Sequence, residues 1–434
     1  MKHEPQSLSR PVKAPARKWI RPLSAAVALS AAATITACSS SSSSGPATGA
    51  TSATTSALGA PDKATGSTVL VGWANLQGGA TTYPELTVAA QAAADYANNY
   101  LGGLHGHVIK LDTCNDIGDA ASPTRCANQF IDDHDVAVAE GQVTDDATYV
   151  SDLAAAKIPW ISIAATSAAA FTSPYSFVFN PSSLAFVATA VGYAQQKHTV
   201  LQFLGDNVPA VSSVYSSFVQ PMAAKAGVKT GLTLITPAAP DPTPQVVAAL
   251  SGKPGALVLF LDSALCATVP PAVVANVPSG GQRPTMFMSA SCAGTTGVAA
   301  DVFTGVHVPD YYGPTGTDAE TKLYEAVMAT YAPKQSTTGD VAAGYEPMLD
   351  FIRAVDASPV KLAGTSEQVT ADLRSAKNVP LALELGATAT CDGEVFKAFP
   401  SNCSAVTVTK TIESSSTSSY SVVNVAKIVN AAVP

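Results

Sequence analysis

Two short motifs in the chain carry residue types that serine enzymes use for catalysis. Ser358-Pro359-Val360-Lys361 fits the SxxK pattern, and Lys229-Thr230-Gly231 fits KTG. Serine acyl-transfer enzymes use such a pair. Here, however, the KTG precedes the SxxK, the reverse of their order in the serine enzymes that carry both motifs, and Pro359 stands where a helix should continue. Because no GxSxG, HExxH or Walker A sequence occurs either, we predict that the chain is not an enzyme.

Histidine and cysteine, which bind transition metals, are not spaced as a metal site. His105 and His107 flank Gly106 but lack a third ligand nearby, and no CxxC occurs. We therefore predict no metal and no cofactor. Apart from Cys38 in the N-terminal stretch, six cysteines remain, an even number that would suit disulfides if the chain is exported. Six cysteines allow 15 connectivities, and proximity along the chain favours three disulfides: Cys114–Cys126, Cys266–Cys292 and Cys391–Cys403.

Polar loops that follow apolar runs are the stronger candidates for a site. Residues 140–144 and 164–167 each follow a predicted strand, as do Asp206-Asn207 and Asp262-Ser263. In open α/β sheets, ligands bind at the carboxyl ends of the strands. Hydroxyls and free backbone N–H groups suit an uncharged or zwitterionic small molecule.

Residues 69–116 show which elements would position these loops. The apolar run 69–73 predicts a buried strand, residues 85–99 have helical spacing behind Pro84, and 108–111 predict a second strand. Strand, loop, helix and strand form the opening unit of a parallel α/β sheet. The pattern repeats along the chain, and residues 405–425 alternate as in a β-hairpin. We predict two Rossmann-like lobes, joined by several crossovers, with a ligand cleft between them.

Residues 69–423 resemble the type I periplasmic binding proteins, specifically the branched-chain amino acid receptor family of ABC importers. The resemblance rests on a helix that ends in Asn–x–x–Gly–Gly, a Gly–His–x–Ile strand start and an Asp-rich turn, which here are residues 98–106, 107–111 and 112–116. The resemblance implies a receptor that delivers a small molecule, an amino acid or a related compound, to a membrane permease. The alternative is a surface sensor or scaffold of the same fold without a transport role.

The resemblance also implies the residues that bind the ligand. In the family, a Ser or Thr after the third strand and an Ala–Thr pair after the fourth hold the ligand's polar groups. The similar positions here are Thr144, Ala165 and Thr166, and Tyr83 ends a loop similar to the first loop of the family. The alternative for both threonines is that their hydroxyls cap the next helix.

The second lobe departs from the family pattern. Asp206 is followed by 207–210, Asn-Val-Pro-Ala, without the aromatic–Gly pair that the family often has. Asp262 is the nearest candidate for an acid that would hold an α-ammonium group. Amino acid specificity is therefore open, and an amide, a nucleoside or another small compound with polar and apolar parts is the alternative.

The N-terminus has the pattern of a lipoprotein signal peptide. Residues 1–37 carry six basic residues and then a short apolar stretch that ends Ile35-Thr36-Ala37-Cys38. This resembles a bacterial lipobox, so we predict that Cys38 is lipidated and anchors the protein to the outside of the cell membrane. An ordinary signal peptide with a chance cysteine is the alternative. The Ser/Thr/Ala-rich stretch 38–66 would be a flexible tether.

Length and charge complete the prediction. We assign residues 67–180 and 313–378 to the first lobe, and 181–312 and 379–434 to the second. Removing 1–37 takes away six basic residues and one acid, which lowers the formal net charge from −8 to −13. A surface with this negative net charge repels the phosphate groups of nucleic acids, so we predict no nucleic acid partner.

Overall fold

Two β-sheets organise the chain into two lobes, each with helices packed on its sheet. The computed structural model describes residues 56–432 with the exception of Ala80, 237–239, Asp262, Ser279, Ser291, Gly294 and 310–312. This architecture confirms the predicted fold class.

The first sheet consists of five parallel strands, which are β1 (Thr68–Leu76), β2 (Val108–Asp116), β3 (Ala137–Glu140), β4 (Trp160–Ser162) and β5 (Ser176–Val178). Their order across the sheet is β2-β1-β3-β4-β5. All four residues of β3 are buried, as expected for a central strand that is covered on both faces. The first helices are α1 (Pro84–Tyr96), which runs into a π-helical turn at Ala97–Leu101, α2 (Ser122–Asp132), α3 (Asp146–Ala155) and α4 (Ala168–Thr172).

The second sheet repeats this order with its own parallel strands. They are β6 (Leu201–Asp206), β7 (Thr230–Ile235), β8 (Ala256–Phe260), β9 (Thr285–Met288) and β10 (His307–Val308), arranged β7-β6-β8-β9-β10. The helices of this part are α5 (Ser182–Gln196), α6 (Pro209–Val214), which continues through a π-helical turn at Tyr215–Val219 into α7 (Gln220–Ala226), α8 (Thr243–Ser251), α9 (Ser263–Cys266) and α10 (Val269–Ala275). Because the strand order is shared, the direction in which successive strands are added reverses at an equivalent point in both sheets, between the first and the third strand.

The chain then returns to the first lobe. Its next helices are α11 (Ala319–Tyr331), α12 (Ala342–Asp356) and α13 (Ser366–Ser375), with a short 3₁₀ turn at Gly339–Val341. Another 3₁₀ turn, at Ala300–Phe303, precedes β10 in the second lobe. Helix α12 is buried along most of its length and packs against α1. A Cβ at Gly344 would lie 2.0 Å from the carbonyl oxygen of Leu86. Only glycine therefore lets these two helices approach so closely.

Residues 379–389 form a small antiparallel pair, β11 (Val379–Pro380) with β12 (Thr388–Ala389). Val379 and Leu381 are buried in the core of the first lobe, and the Ala382 amide donates to Asp350 Oδ1 of α12 at 2.7 Å. The sequence assigns this segment to the second lobe, whereas its side chains pack against α12 of the first. The lobe division itself stays a prediction.

The C-terminal segment joins the second sheet. Strand β13 (Val406–Ile412) pairs antiparallel with β10 and with β14 (Ser418–Asn424), and α14 (Ala426–Ala432) follows. This confirms the hairpin that was predicted for residues 405–425. No helix among the residues that the structure describes is long and apolar enough to cross a membrane.

All three predicted disulfides are present. Their Cα–Cα distances are 5.5 Å for Cys114–Cys126, 5.1 Å for Cys266–Cys292 and 4.2 Å for Cys391–Cys403. Each bond closes a local segment of 12 or 26 residues. A disulfide that closes a loop of such a size stabilises the folded chain by roughly 3 kcal/mol, mainly by restricting the unfolded state.

Candidate functional site

A cavity of about 170 Å³ lies where β4 of the first sheet ends beside the ends of β8 and β9 of the second. It is therefore situated between the lobes, at the carboxyl ends of parallel strands, which is where ligands bind in open α/β sheets. The described residues that line it are Thr166, Ser183, Phe186, Leu259, Phe260, Leu261 and Ser289.

Apolar side chains form most of this lining. Phe186 of α5 and Phe260 of β8 pack edge to face with ring centroids 5.9 Å apart, and Leu259 is fully buried. The polar lining residues are three hydroxyls, and the described lining contains no charged side chain. The cavity is smaller than the roughly 300–1,000 Å³ of sites for drug-sized ligands. It suits a small molecule with an apolar body and few hydrogen-bonding groups.

Thr166 lines the cavity while a buried aspartate holds it from behind. Asp146 of α3 is 4% exposed and accepts hydrogen bonds from the Thr166 amide at 2.8 Å, the Ser167 amide at 3.1 Å and the Thr166 hydroxyl at 3.2 Å. The cap of α4 is Ser167, whose hydroxyl accepts from the Ala170 amide. The helix-cap alternative is therefore wrong for Thr166, and its contact with a ligand stays a prediction.

Thr144 has a similar acidic partner. Its amide and hydroxyl both donate to Asp116 Oδ2, at 3.1 and 2.8 Å. The N-cap of α3 is the neighbouring Asp145, which accepts from the Thr148 amide at 3.3 Å. The cap alternative is therefore wrong for Thr144 too. Thr144 is exposed and is not among the residues that line the cavity.

Glu140 supports the loop after β4 from the interior. It is buried at the end of β3 and accepts a hydrogen bond from the Ser162 hydroxyl, which in turn accepts from the Ala164 amide at 3.1 Å. Burial raises the pKa of Glu140 well above its ordinary value, and the neighbouring Asp146 raises it further. Both effects favour the neutral carboxyl group, which stays inside the fold as a structural partner.

Ala165 connects the two lobes. It is fully buried, and its carbonyl oxygen accepts a hydrogen bond from the Ser183 hydroxyl of α5 at 3.1 Å. Tyr83, predicted as a ligand contact, is half-buried at the start of α1 and is held by its backbone: its amide donates to the Leu76 carbonyl, and its carbonyl accepts from Asn75 Nδ2 at 2.7 Å. It is not among the residues that line the cavity.

Two residues of the second lobe, Asp206 and Asp262, were predicted to contact the ligand, and the structure describes only the first of them. Asp206 ends β6 and is 8% exposed, and it is not part of the lining of this cavity. Asp262 lies outside the described residues, as does the proposed lipidation site Cys38. Among the described residues, no group of three or more histidine, cysteine or acidic side chains is arranged to hold a metal ion.

Several residues of the site were not identified from the sequence. Asp116 ends β2 and Glu140 ends β3, and an acid at the end of a predicted strand is a usable signal. Asp146 gives no such signal, because the groups that it binds lie 20 residues further along the chain. Phe186 belongs to a helix that is buried on most sides, so its sequence does not separate a cavity wall from ordinary core.

The comparisons with known proteins agree with this geometry. A family model described as periplasmic binding protein matches residues 68–407. The chain belongs to the periplasmic binding protein family, in the type I branch that includes branched-chain amino acid receptors. A comparison with curated proteins finds no match to this chain.

Solved structures of the same fold include transporter components. A fatty acid ABC transporter substrate-binding protein from Thermomonospora curvata superposes with a TM-score of 0.64 at 17% identity, over 84% of this chain and 95% of that one. The branched-chain amino acid transporter substrate binding protein LivJ from Streptococcus pneumoniae, in complex with isoleucine, gives 0.60 at 15% identity, over 82% and 100%. An extracellular ligand-binding receptor from Rhodopseudomonas palustris gives 0.60 at 13% identity, over 82% and 99%.

Family membership decides several of the sequence predictions. The protein is an extracytoplasmic solute-binding protein, and the prediction that it is not an enzyme is confirmed. Its family binds small molecules and works with permeases of ABC transporters.

Proposed function

We propose that this protein is a lipid-anchored receptor that binds a small, mainly apolar molecule between its lobes and delivers it to the permease of an ABC importer. The observation that carries the proposal is the cavity between the lobes. Phe186, Leu259, Phe260 and Leu261 form its apolar wall, and three hydroxyl groups complete the described lining. The hydroxyls of Thr166, Ser183 and Ser289 can hydrogen-bond the polar end of such a ligand, while the apolar side chains contact its body. Lobe closure around such a ligand is the usual movement of hinged binding proteins.

The same lining supports a proposal for the ligand class. The names of the two transporter proteins above refer to a fatty acid and to isoleucine, and each of these carries an apolar chain next to a carboxyl group. A branched or short aliphatic compound fits the apolar wall here. Its polar end would meet the hydroxyls of Thr166, Ser183 and Ser289, while the backbone N–H groups of the loop after β4 are partly taken by Asp146.

A screen tests binding. The mature protein is melted in the presence of aliphatic amino acids, their amides, short-chain fatty acids and nucleosides. A ligand at 100 times its Kd stabilises the fold by roughly 2.7 kcal/mol, so a true ligand should raise the Tm measurably. Absence of any shift for the aliphatic compounds together with a shift for nucleosides would overturn the proposed ligand class.

A pair of threonine variants then tests the site. Thr166→Val keeps the side-chain volume but removes one hydroxyl, and we expect affinity to fall by a few-fold to about tenfold, since a neutral hydrogen bond contributes roughly 0.5–1.5 kcal/mol. Thr172→Val is the matched control, because this exposed threonine bonds only to the Ala168 carbonyl of its own helix. Equal affinity of both variants in calorimetric titration would remove Thr166 from the site.

Transport is tested in cells. Deleting the gene should abolish uptake of the ligand identified in the screen, and restoring the wild-type gene should restore uptake. Normal uptake in the deletion strain, with binding intact in the purified protein, would instead identify a surface sensor or scaffold.

A further inference from the structure

Three buried carboxyl groups lie next to two of the connections between the lobes. Glu346 and Asp350 are one turn apart on α12, and Glu384 belongs to the segment between β11 and β12. Their exposed fractions are 1%, 2% and 2%. We call these three residues the hinge carboxyl cluster.

Two members of the cluster bind directly to the chain where it crosses from one lobe to the other. Asn180 follows β5 of the first sheet and precedes α5 of the second lobe, and its Nδ2 donates a hydrogen bond to Glu384 Oε1. Gly313 lies on the way back from β10 to α11, and its amide donates to Glu346 Oε1 at 3.1 Å. The third member, Asp350, accepts from the Ala382 amide and so fixes the segment that carries Glu384.

The charges around the cluster do not compensate for three carboxylates. Arg353 is the cation that acts on Asp350. It is already paired with Glu320 of α11, with Nη1–Oε2 and Nη2–Oε1 distances of 3.0 and 3.1 Å. The remaining titratable neighbour on α12 is the buried Tyr345, which lies near Asp350 and near Tyr96 of α1. The charge of Glu384 disfavours ionisation of Glu346, and none of the salt bridges among the described residues includes either glutamate.

Two glutamates in this situation cannot both ionise at low cost, because burial and a like charge both disfavour the charged form. Burial raises the pKa of Glu384 to about 8, and Asp350 opposes its ionisation as well. Burial also raises the pKa of Glu346 well above its ordinary value, with Glu384 and Asp350 as further causes. For Asp350, burial raises the pKa to about 8.

We propose that the hinge carboxyl cluster controls the lobe connections by protonation: Glu346 and Glu384 retain at least one proton in this arrangement of the lobes, and losing it loosens both connections. The inference is independent of which ligand the cavity binds, since it rests on the contacts of Asn180 and Gly313. The direction follows from linkage. A carboxyl group whose pKa is higher in this arrangement than in the loosened one stabilises this arrangement fully in acid, and that contribution is lost as the pH rises through about 8.

Hydrogen–deuterium exchange of the full chain tests the proposal. Exchange is measured in peptides that cover residues 179–181 and 313–318. Wild type and the double variant Glu346→Gln/Glu384→Gln are compared at the same pH, so that the intrinsic pH dependence of exchange cancels. The glutamines keep the acceptor oxygens but cannot ionise. Between pH 6 and pH 9 we expect the ratio of wild-type to variant exchange rates to rise on the order of 10–100-fold, as one proton with a pKa near 8 would produce.

The control is Glu325→Gln, which removes an exposed glutamate from α11. Exchange at both connections in this variant should depend on pH as it does in wild type. If the double variant fails to fold, the single change Glu384→Gln is measured, and it should reduce the pH dependence at both connections. The proposal would be overturned if the ratio of wild-type to variant exchange rates stayed constant from pH 6 to pH 9. It would also be overturned if that ratio changed only in peptides far from both connections.

Discussion

Replacing Asp146 by alanine is the sharpest test of how the loop after β4 is held. The carboxylate accepts three hydrogen bonds, two of them from backbone amides of this loop. A hydrogen bond to a charged group contributes roughly 1.5–3 kcal/mol, and an unpaired buried donor costs about 1–3 kcal/mol. Because Thr166 is exposed and Ser167 is only half-buried, water can replace part of what is lost. We therefore expect Asp146→Ala to lower the free energy of unfolding by about 2–4 kcal/mol.

The neighbouring aspartate provides a matched control. Asp145→Ala removes the same charge one residue earlier, but Asp145 is exposed and serves as the N-cap of α3. Losing an N-cap costs about 1 kcal/mol. With a shift of roughly 2 °C per kcal/mol for a chain of this size, Asp146→Ala should melt about 4–8 °C below wild type and Asp145→Ala about 2 °C below.

Calorimetric melts of the three proteins at pH 7 check the estimate without any ligand. Equal losses for the two variants, or a larger loss for Asp145→Ala, would show that the loop is held by something other than Asp146. The account of Thr166 as a residue positioned by a buried acid would then be wrong.

Three further changes test other parts of the structure. Gly344→Ala should cost about 1–3 kcal/mol in melts, because its Cβ would overlap the Leu86 carbonyl, whereas Gly192→Ala, with 3.8 Å of clearance, should be neutral or stabilising. Asp135→Asn should lessen the loss of stability as pH rises from about 4 to 8, since burial raises the pKa of Asp135 to about 8; an unchanged pH profile would contradict this. Cys38→Ala should release the protein from membranes or leave its precursor unprocessed, and unchanged retention with normal processing would refute lipidation.

The fold was predictable because its signals are local. Apolar strands, glycine-terminated helices and the alternating tail each span about 20 residues or fewer, and hydrophobic periodicity identifies such elements directly. The disulfides were predictable for the same reason, since each joins cysteines 12 or 26 residues apart. The sequence does not show that the segment 379–389 packs against α12, because this contact spans about 30 residues of chain.

The site was predictable only in part, because its decisive contacts join residues that are distant in sequence. The sequence identified Thr144 and Thr166 correctly as loop residues at strand ends. It could not show that Asp116 and Asp146 occupy their hydroxyls, since these partners lie 28 and 20 residues away. Nor could it distinguish a threonine that caps a helix from one whose neighbour does so, because Asp145 and Ser167 are equally good caps in sequence.

The two lobes therefore contribute different things to the proposed site. In the first lobe, the buried acids Glu140 and Asp146 fix the loop after β4, so that its geometry is set before any ligand arrives. In the second lobe, Phe186 and Phe260 provide an apolar wall, whose shape changes with side-chain size. Affinity gained from a preformed loop is not lost to ordering on binding. We accordingly infer that substitutions in the apolar wall change which ligand is preferred, whereas substitutions of the buried acids weaken the binding of every ligand.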